Sequence, residues 1–307
     1  MLRALLSVAS TSLHLSMLKD LLNSRIIAVM TVSAGGADWN SLARANAGQR
    51  WRKESSLMGR EVTRAIVEAA QVAPGMRVLD VACGAGEPAI SIAALLDGSG
   101  QVLGVDNAAG PLMTARERAT QHGLSKIGFQ LADVHSLPFP DNSFDRVTSR
   151  LGVMFFSDLP RALSEMRRVL RPDGKAALLA WGPIEQPYFA ATLGTLLRLL
   201  PGASLPESGK KMFAFQRPGV LAQAFRDARF SAVEENFLTV PWTWPGSPEE
   251  VWEYFQDATV PFSPLLRSIP AGRRDEIDSE VVRAISRYSD GKEIKFTATV
   301  NITSAIK

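Results

Sequence analysis

The stretch Val78-Leu79-Asp80-Val81-Ala82-Cys83-Gly84-Ala85-Gly86-Glu87-Pro88-Ala89-Ile90 decides how the whole chain is organised. An apolar run ends in a loop with two glycines, and Pro88, suited to the first position of a helix, opens another apolar segment. The pattern predicts a strand, a tight turn and a helix over 88–96. Gly84, Gly86 and Ala89 formally satisfy G-x-G-x-x-G/A, the spacing of dinucleotide-binding loops. The charges point elsewhere. A pyrophosphate needs free backbone N–H groups at the helix N-terminus and no anion beside them. Here Glu87 occupies that terminus and Asp80 lies four residues before Gly84, a pair that suits a cation.

S-adenosylmethionine (SAM) carries a sulfonium and an ammonium and has no phosphate, so acids beside the loop attract it and repel NAD. On this motif the chain resembles the class I SAM-dependent methyltransferases, whose first motif reads hydrophobic-hydrophobic-Asp-hydrophobic-x-Cys-Gly-x-Gly. The resemblance implies that Asp80, Ala82, Cys83, Gly84, Ala85 and Gly86 bind the cofactor. After the Gly98-Ser99-Gly100 turn, 101–106 reads as a second buried strand ending in Asp106, 20 residues past Gly86. One strand–helix–strand unit of that length brings a carboxylate to the ribose hydroxyls of a bound nucleoside. Asn107 joins it in the implied cofactor set. The alternative for Asp106 is a cap on the helix expected over 108–122. A third strand, 127–131, runs into Ala132-Asp133-Val134. In the family the Asp at this place accepts from the adenine amino group and the next residue's N–H reaches the ring, which assigns Asp133 and Val134. A turn bond or helix cap is the alternative for Asp133.

Leu137-Pro138-Phe139-Pro140-Asp141-Asn142-Ser143-Phe144-Asp145 resembles the Leu-Pro-Phe-x-Asp-x-Ser-Phe-Asp segment of UbiE-like methyltransferases, which precedes their fourth strand. Leu151-Gly152-Val153-Met154-Phe155-Phe156 stands where nucleic-acid and glutamine N-methyltransferases carry Asn-Pro-Pro-Tyr, so the resemblance implies a small-molecule acceptor and no nucleic acid. Arg168-Val169-Leu170-Arg171-Pro172-Asp173-Gly174 resembles the third motif, with Asp173-Gly174 for the usual Gly-Gly; it ends a helix over 158–171 before a strand from Lys175 to Trp181. Quinone C-methyltransferases usually end that strand Leu-Glu-Phe, whereas this chain has Leu179-Ala180-Trp181, so quinone methylation is not implied. The family's fold is α/β: a Rossmann-like seven-stranded sheet of order 3-2-1-4-5-7-6, last strand antiparallel, with helices on both faces. Strands expected at 231–240 and 293–306 complete it. A methyltransferase domain over 37–307 then carries helical lid inserts at 183–216 and 247–289. Of 23 aromatic residues, 14 lie between Trp181 and Phe262, among them Tyr188, Phe189, Phe213, Phe215, Trp242, Trp244, Trp252, Tyr254 and Phe255. Inserts lie over the C-terminal ends of the strands, so some of these are expected to wall an apolar pocket, the alternative being a second core.

Composition sets the outer bounds. With 307 residues and 46% hydrophobic content the chain has ample core. Its net charge of +3 arises from 34 basic and 31 acidic residues that are interspersed, which gives nucleic acid no patch to bind. Cys83 is the single cysteine, so no intramolecular disulfide forms and a reducing, cytoplasmic compartment is expected. His14, His122 and His135 have no ligand-like spacing, and no metal is expected. Residues 1–36 differ from the rest. They are Ser- and Leu-rich, with Arg3, Lys19 and Arg25 against Asp20, a composition shared with transit peptides. The preferred reading is an upstream start codon with Met30 as the first residue, and 1–36 are set apart from the fold. No run reaches the roughly 18 apolar residues of a membrane span.

Methyl transfer from a sulfonium is an in-line displacement, so alignment and exclusion of water are the main tasks. Candidates for a further catalytic part are His135, Arg150 and Tyr188. Arg150 also stands in the implied cofactor set, for the methionyl carboxylate or for an acceptor oxyanion. Two other readings stay open at this point: an NAD-dependent oxidoreductase on the same topology, and a non-catalytic SAM-binding module.

Overall fold

Apolar runs too short for helices and rich in Val, Leu and Ile become strands buried on both faces. A computed structural model of the chain describes Trp39 and residues 42–307; Trp39–Lys307 make one unit, and residues 1–36 lie outside the described residues. The strands are β1 (Arg77–Val81), β2 (Gln101–Asp106), β3 (Ile127–Leu131), β4 (Phe144–Arg150), β5 (Leu170–Trp181), β6 (Ser231–Trp244) and β7 (Ile294–Ile306). They form one seven-stranded sheet of order β3-β2-β1-β4-β5-β7-β6. Strands β1 to β5 pair in parallel, and β7 runs antiparallel between β5 and β6. This is the expected Rossmann-like order. The chain reverses direction across the sheet between β1 and β4, the place where open α/β sheets leave a crevice at their C-terminal rim.

Helices α1 (Leu42–Arg50), α2 (Arg52–Met58) and α3 (Arg60–Ala70) precede the sheet. Trp51 and Gly59 divide this helical segment into three. Gly59 has the weakest helix preference of any residue except proline, and a Cβ there would lie 3.2 Å from the Ser55 carbonyl and 3.3 Å from Arg150 Nη1. Helices α4 (Ala89–Leu96) and α5 (Ala109–Gln121) cross between the first three strands, and α6 (Leu159–Val169) leads into β5. Strand β5 starts at Leu170, earlier than the expected Lys175. Leu170 pairs with Phe144 across an irregularity, the regular ladder resumes at Lys175, and Asp173 takes the left-handed backbone (φ 61°) in the place of the usual glycine.

The first insert holds a helix over 187–199, α7, with a π turn at Ala190–Gly194, and the short α8 (Glu207–Lys211). After α9 (Val220–Asp227) and β6, the second insert holds α10 (Pro248–Ala258), α11 (Ser263–Arg267) and α12 (Arg274–Ser286). A full capping box starts α10: the Ser247 hydroxyl accepts from Glu250 N–H and the Glu250 carboxylate accepts from Ser247 N–H. Helix α10 is tied to the first helices. Trp51 Nε1 donates to Asp257 at 2.8 Å, and Arg50 pairs with Glu253 and Asp257.

The aromatic residues of the inserts prove to be mostly core. Trp181, Tyr188, Phe189 and Trp242 meet edge to face at centroid distances of 5.1–6.3 Å, and Trp252, Phe255 and Phe262 stack at 5.4 and 5.8 Å. Phe213, Phe215 and Trp244 are buried as well. Of the nine named as pocket candidates only Tyr254 is half-buried. The reason is geometric: a helix lying on a sheet needs large side chains on its inner face, and aromatics pack there with their edges against neighbouring rings. Among the described residues no helix is long and apolar enough to cross a membrane, and no group of three or more His, Cys, Asp or Glu could hold a metal ion.

Candidate active site

Strand register gathers the site. Asp80 stands opposite Gly104 of β2 and Thr148 of β4. Two residues on, the rim therefore carries Ala82 flanked by Asp106 and Arg150. Asp106 in turn stands opposite Leu131, which places Asp133 just beyond the end of β3. Four chain segments distant in sequence meet along one edge.

The glycine loop is shaped by the backbone. Gly84 (φ 51°) and Gly86 (φ 106°) take left-handed conformations that a side chain strains. A Cβ on Gly86 would come 2.6 Å from Ile90 Cδ1, whereas one on Gly84 would meet nothing within 4 Å. Gly84 thus faces open space, and its N–H donates to Asp106 Oδ2 at 2.8 Å. Asp106 Oδ1 accepts from Ala108 N–H at 2.9 Å. The capping and ribose readings of Asp106 are therefore compatible: each carboxylate oxygen keeps a second lone pair for a sugar hydroxyl. Burial pushes the Asp106 carboxyl above its ordinary pKa, against the pull of the Ala108, Gly84 and Asn107 N–H groups. Two non-glycine residues, Ala82 (φ 54°) and Leu151 (φ 61°), adopt the left-handed backbone at the ends of β1 and β4. A Cβ on Gly152 would lie 2.5 Å from Ala82 Cβ, so the two turns abut only because position 152 is glycine. Strain of this kind concentrates at functional rims.

Asp80 and Cys83, both expected to contact the cofactor, are 0% and 2% exposed and lie beneath the loop. Asp80 accepts from Thr148 Oγ1 at 2.8 Å and from Ala89 N–H at 3.2 Å, fixing the start of α4 to β4. Its role is to hold the loop. Burial raises the Asp80 carboxyl to about 7, against the Thr148 and Ala89 hydrogen bonds and the nearby Arg150 charge. A carboxyl whose pKa is higher in the folded chain keeps its proton there while the unfolded chain has lost it. Folding stability therefore falls as pH rises from about 4 to about 7 and levels off above. The contribution of this one group is on the order of 4 kcal/mol. Asp80→Asn is expected to remove that slope: urea unfolding at pH 5 and pH 8 will show a smaller loss for the variant than for the parent chain.

Glu87 is not a free anion either. Arg118, on α5, donates to Glu87 Oε1 at 2.8 Å and to the Ala85 carbonyl at 2.7 Å, and Ser91 Oγ donates to Glu87 Oε2 at 2.7 Å. The charge that seemed to repel a pyrophosphate is paired. Arg118 escaped the sequence reading, although its place three residues after the buried Ala115 marks a cation on the inner face of a helix.

His135 does not face solvent. Its Nδ1 donates to Asp133 Oδ1 at 2.6 Å, its Nε2 accepts from Asp158 N–H at 3.2 Å, and its carbonyl accepts from Arg161 Nε at 2.6 Å. Both ring nitrogens are occupied, so His135 positions Asp133 and the start of α6 and is no general base. Burial draws the Asp133 carboxyl upward, but its bonds from His135 outweigh this and hold it below the ordinary value. His135→Ala is expected to weaken binding of the cofactor product about 3- to 10-fold, the loss of a positioning hydrogen bond, with kcat and its pH profile unchanged. A profile that loses one limb in the variant would restore the base. Tyr188, the other candidate base, is packed against Phe189, Trp242, Phe255 and Phe296, and burial drives its phenol well above the ordinary value. It belongs to the core. Val134 is buried, while Ala85 and Asn107 are exposed on the rim.

Two clefts lie away from this rim. One borders Asp97, Gly98 and Gly123–Lys126 at the opposite end of β2 and β3, and the other lies among Gln256, Leu266, Arg267 and Arg274 of the second insert.

Comparison with known proteins finds methyltransferases. A family model described as a methyltransferase domain matches residues 79–178, the segment holding the glycine loop, Asp106, Asp133 and Arg150. A 2-phytyl-1,4-naphtoquinone methyltransferase of Trichormus variabilis is 45% identical over 107 residues, 34% of this chain and 47% of that protein, so the match spans about half of that relative's length. A demethylmenaquinone methyltransferase of Thermus thermophilus is 35% identical over 213 residues, 65% of this chain and 89% of that protein. Nocamycin O-methyltransferase of Saccharothrix syringae is 27% identical over 264 residues, 78% of this chain and 89% of that protein.

Proposed function

The chain belongs to the class I, UbiE-like SAM-dependent methyltransferases, and from that premise we propose that it transfers the SAM methyl group to a small, apolar or aromatic acceptor. The observation that carries this is the convergence at the β1/β4 rim of an open glycine loop, a carboxylate with spare lone pairs and a half-buried arginine, Arg150, whose buried Nε has no hydrogen-bond partner. Those residues fit the cofactor's chemistry. The loop edge at Gly84 and Ala85 would cradle the amino-acid portion, Asp106 and Asn107 the ribose, and Asp133 with Val134 the adenine. When bound, SAM supplies a methyl carbon already activated by its sulfonium.

The chain's own part is alignment and exclusion of water. Helices α1 and α2 and the second insert form the cover, held by the Trp51–Asp257 hydrogen bond. The acceptor class is supported by the names of the relatives, a 2-phytyl-1,4-naphtoquinone methyltransferase, a demethylmenaquinone methyltransferase and nocamycin O-methyltransferase, and by the half-buried ring of Tyr254 in the second insert. Calorimetric titration of the full chain with SAM, S-adenosylhomocysteine and NADH tests the cofactor. Micromolar binding of the first two and none of NADH is expected; the reverse would overturn the assignment. Transfer of labelled methyl to a panel of phenols and quinones then separates an enzyme from a binding module.

A further inference from the structure

Arg150 is a cation without an anion. Among the described residues it is the arginine whose guanidinium has a fully buried nitrogen, Nε, with no hydrogen-bond partner. The carboxylates near it are committed: Glu87 to Arg118 and Ser91, Asp80 to Thr148 and Ala89. They act on Arg150 only through space, as does Tyr254, while burial draws the guanidinium below its ordinary pKa. Arginine nonetheless stays charged at any physiological pH. Arg150 as a whole is half-buried, but a buried donor such as its Nε is costly to leave unsatisfied, and an anionic oxygen beside the guanidinium offsets that cost.

The surroundings say which side the anion comes from. Arg150 ends β4 at the β1/β4 switch, on the far side of the glycine loop from Asp106 and Asp133, where the nucleoside would lie. Its Nη1 points at Gly59, between α2 and α3, and passes there because that residue has no Cβ. The insert reaches the same place through Tyr254, whose ring is tilted by 35° against Trp244 at 4.9 Å and meets Trp51 edge to face at 6.3 Å. An aromatic ring beside a half-buried cation suits an acidic hydroxyl on a planar frame.

We propose that Arg150 holds the ionised oxygen of the methyl acceptor, an enolate, phenolate or carboxylate, against the Tyr254 ring, and that this oxygen is the atom that takes the methyl group. The proposal rests on the methyltransferase reading. The acceptor arrives at Arg150 already ionised, its proton left to solvent. Its oxygen lone pair forms the bond to the methyl carbon as the carbon–sulfur bond breaks and that electron pair stays on sulfur. No base is required, in keeping with the positions of His135 and Tyr188. The same chemistry has a second source, the methionyl carboxylate of the cofactor, and the test separates the two.

The full chain and its Arg150→Gln variant are titrated with S-adenosylhomocysteine and with 5′-methylthioadenosine, which lacks the amino acid. 4-Nitrophenol is then titrated in the presence of saturating S-adenosylhomocysteine, following the phenolate absorbance. The parent chain is expected to bind the phenolate and lower the probe's apparent pKa by about one unit, the effect of an adjacent cation. Arg150→Gln is expected to weaken the probe at least tenfold and both nucleosides less than threefold, and Arg150→Lys to recover part of the loss. Retained 5′-methylthioadenosine binding shows that the variant is folded. A tenfold loss confined to S-adenosylhomocysteine would give the anion to the cofactor and overturn the proposal, as would equal probe binding by both proteins. Failure of the parent chain to bind S-adenosylhomocysteine would instead remove the reading beneath it.

Discussion

Asp106→Ala is expected to weaken S-adenosylhomocysteine binding by about 100-fold or more. The carboxylate accepts from Gly84 N–H and Ala108 N–H, at 2.8 and 2.9 Å, and both bonds are charge-assisted. Bonds of that kind contribute about 1.5–3 kcal/mol each. Their loss frees the loop at Gly84, which faces open space, and under the proposed function it also removes the acceptor for the ribose hydroxyls. Asp106→Asn is the sharper variant. It keeps the shape, but its amide nitrogen turns a donor toward one of the two N–H groups, so it too is expected to lose at least about tenfold, the equivalent of 1.4 kcal/mol. Calorimetry of both variants decides. Affinity within threefold of the parent chain in Asp106→Ala would mean that the loop holds itself and that Asp106 touches no ligand.

Arg118→Met is expected to destabilise the fold by about 3 kcal/mol, the lower part of the range for breaking a buried ion pair. Its side chain and that of Glu87 are 11% and 15% exposed. Removal strands the Glu87 carboxylate in a poorly solvated place and leaves the Ala85 carbonyl without its donor. The double variant Glu87→Gln/Arg118→Met should be less destabilised than the single one, because no uncompensated charge remains. Urea unfolding of the parent, both single variants and the double variant gives the coupling. Additive effects would show that the pair contributes nothing as a pair. Cofactor binding by the double variant then measures how far loop geometry depends on the Ala85 tether.

Much of the site was legible in one dimension because it is built at strand ends. Residues that end a strand and precede a helix are chosen by turn geometry, and in a parallel sheet all such ends fall on one rim. Hence the loop glycines, Asp106 and Asp133 are found by counting along the chain. Side chains that act from the interior of an element leave a weaker trace. Thr148 in the middle of β4 meets Asp80 only through the register of two strands 68 residues apart. His135 looked free until Asp158, 23 residues on, brought its backbone N–H to the second ring nitrogen. The charge reading of the loop missed Arg118 for the same reason: two carboxylates were visible in the motif, and the partner of Glu87 was 31 residues away.

The sequence by itself determined the sheet, its order and the acids along its rim, since strand periodicity, turn residues and the family's motifs are local properties of the chain. Only the tertiary structure decided which of those charges are free. It buried Asp80, paired Glu87, turned His135 into a brace and packed Tyr188 into the core, and it left Arg150 half-buried, its Nε without a hydrogen-bond partner. The physical reason is that charge and burial belong to neighbourhoods in space. A motif names the groups present; only packing says which of them have already found a partner and which still lack one.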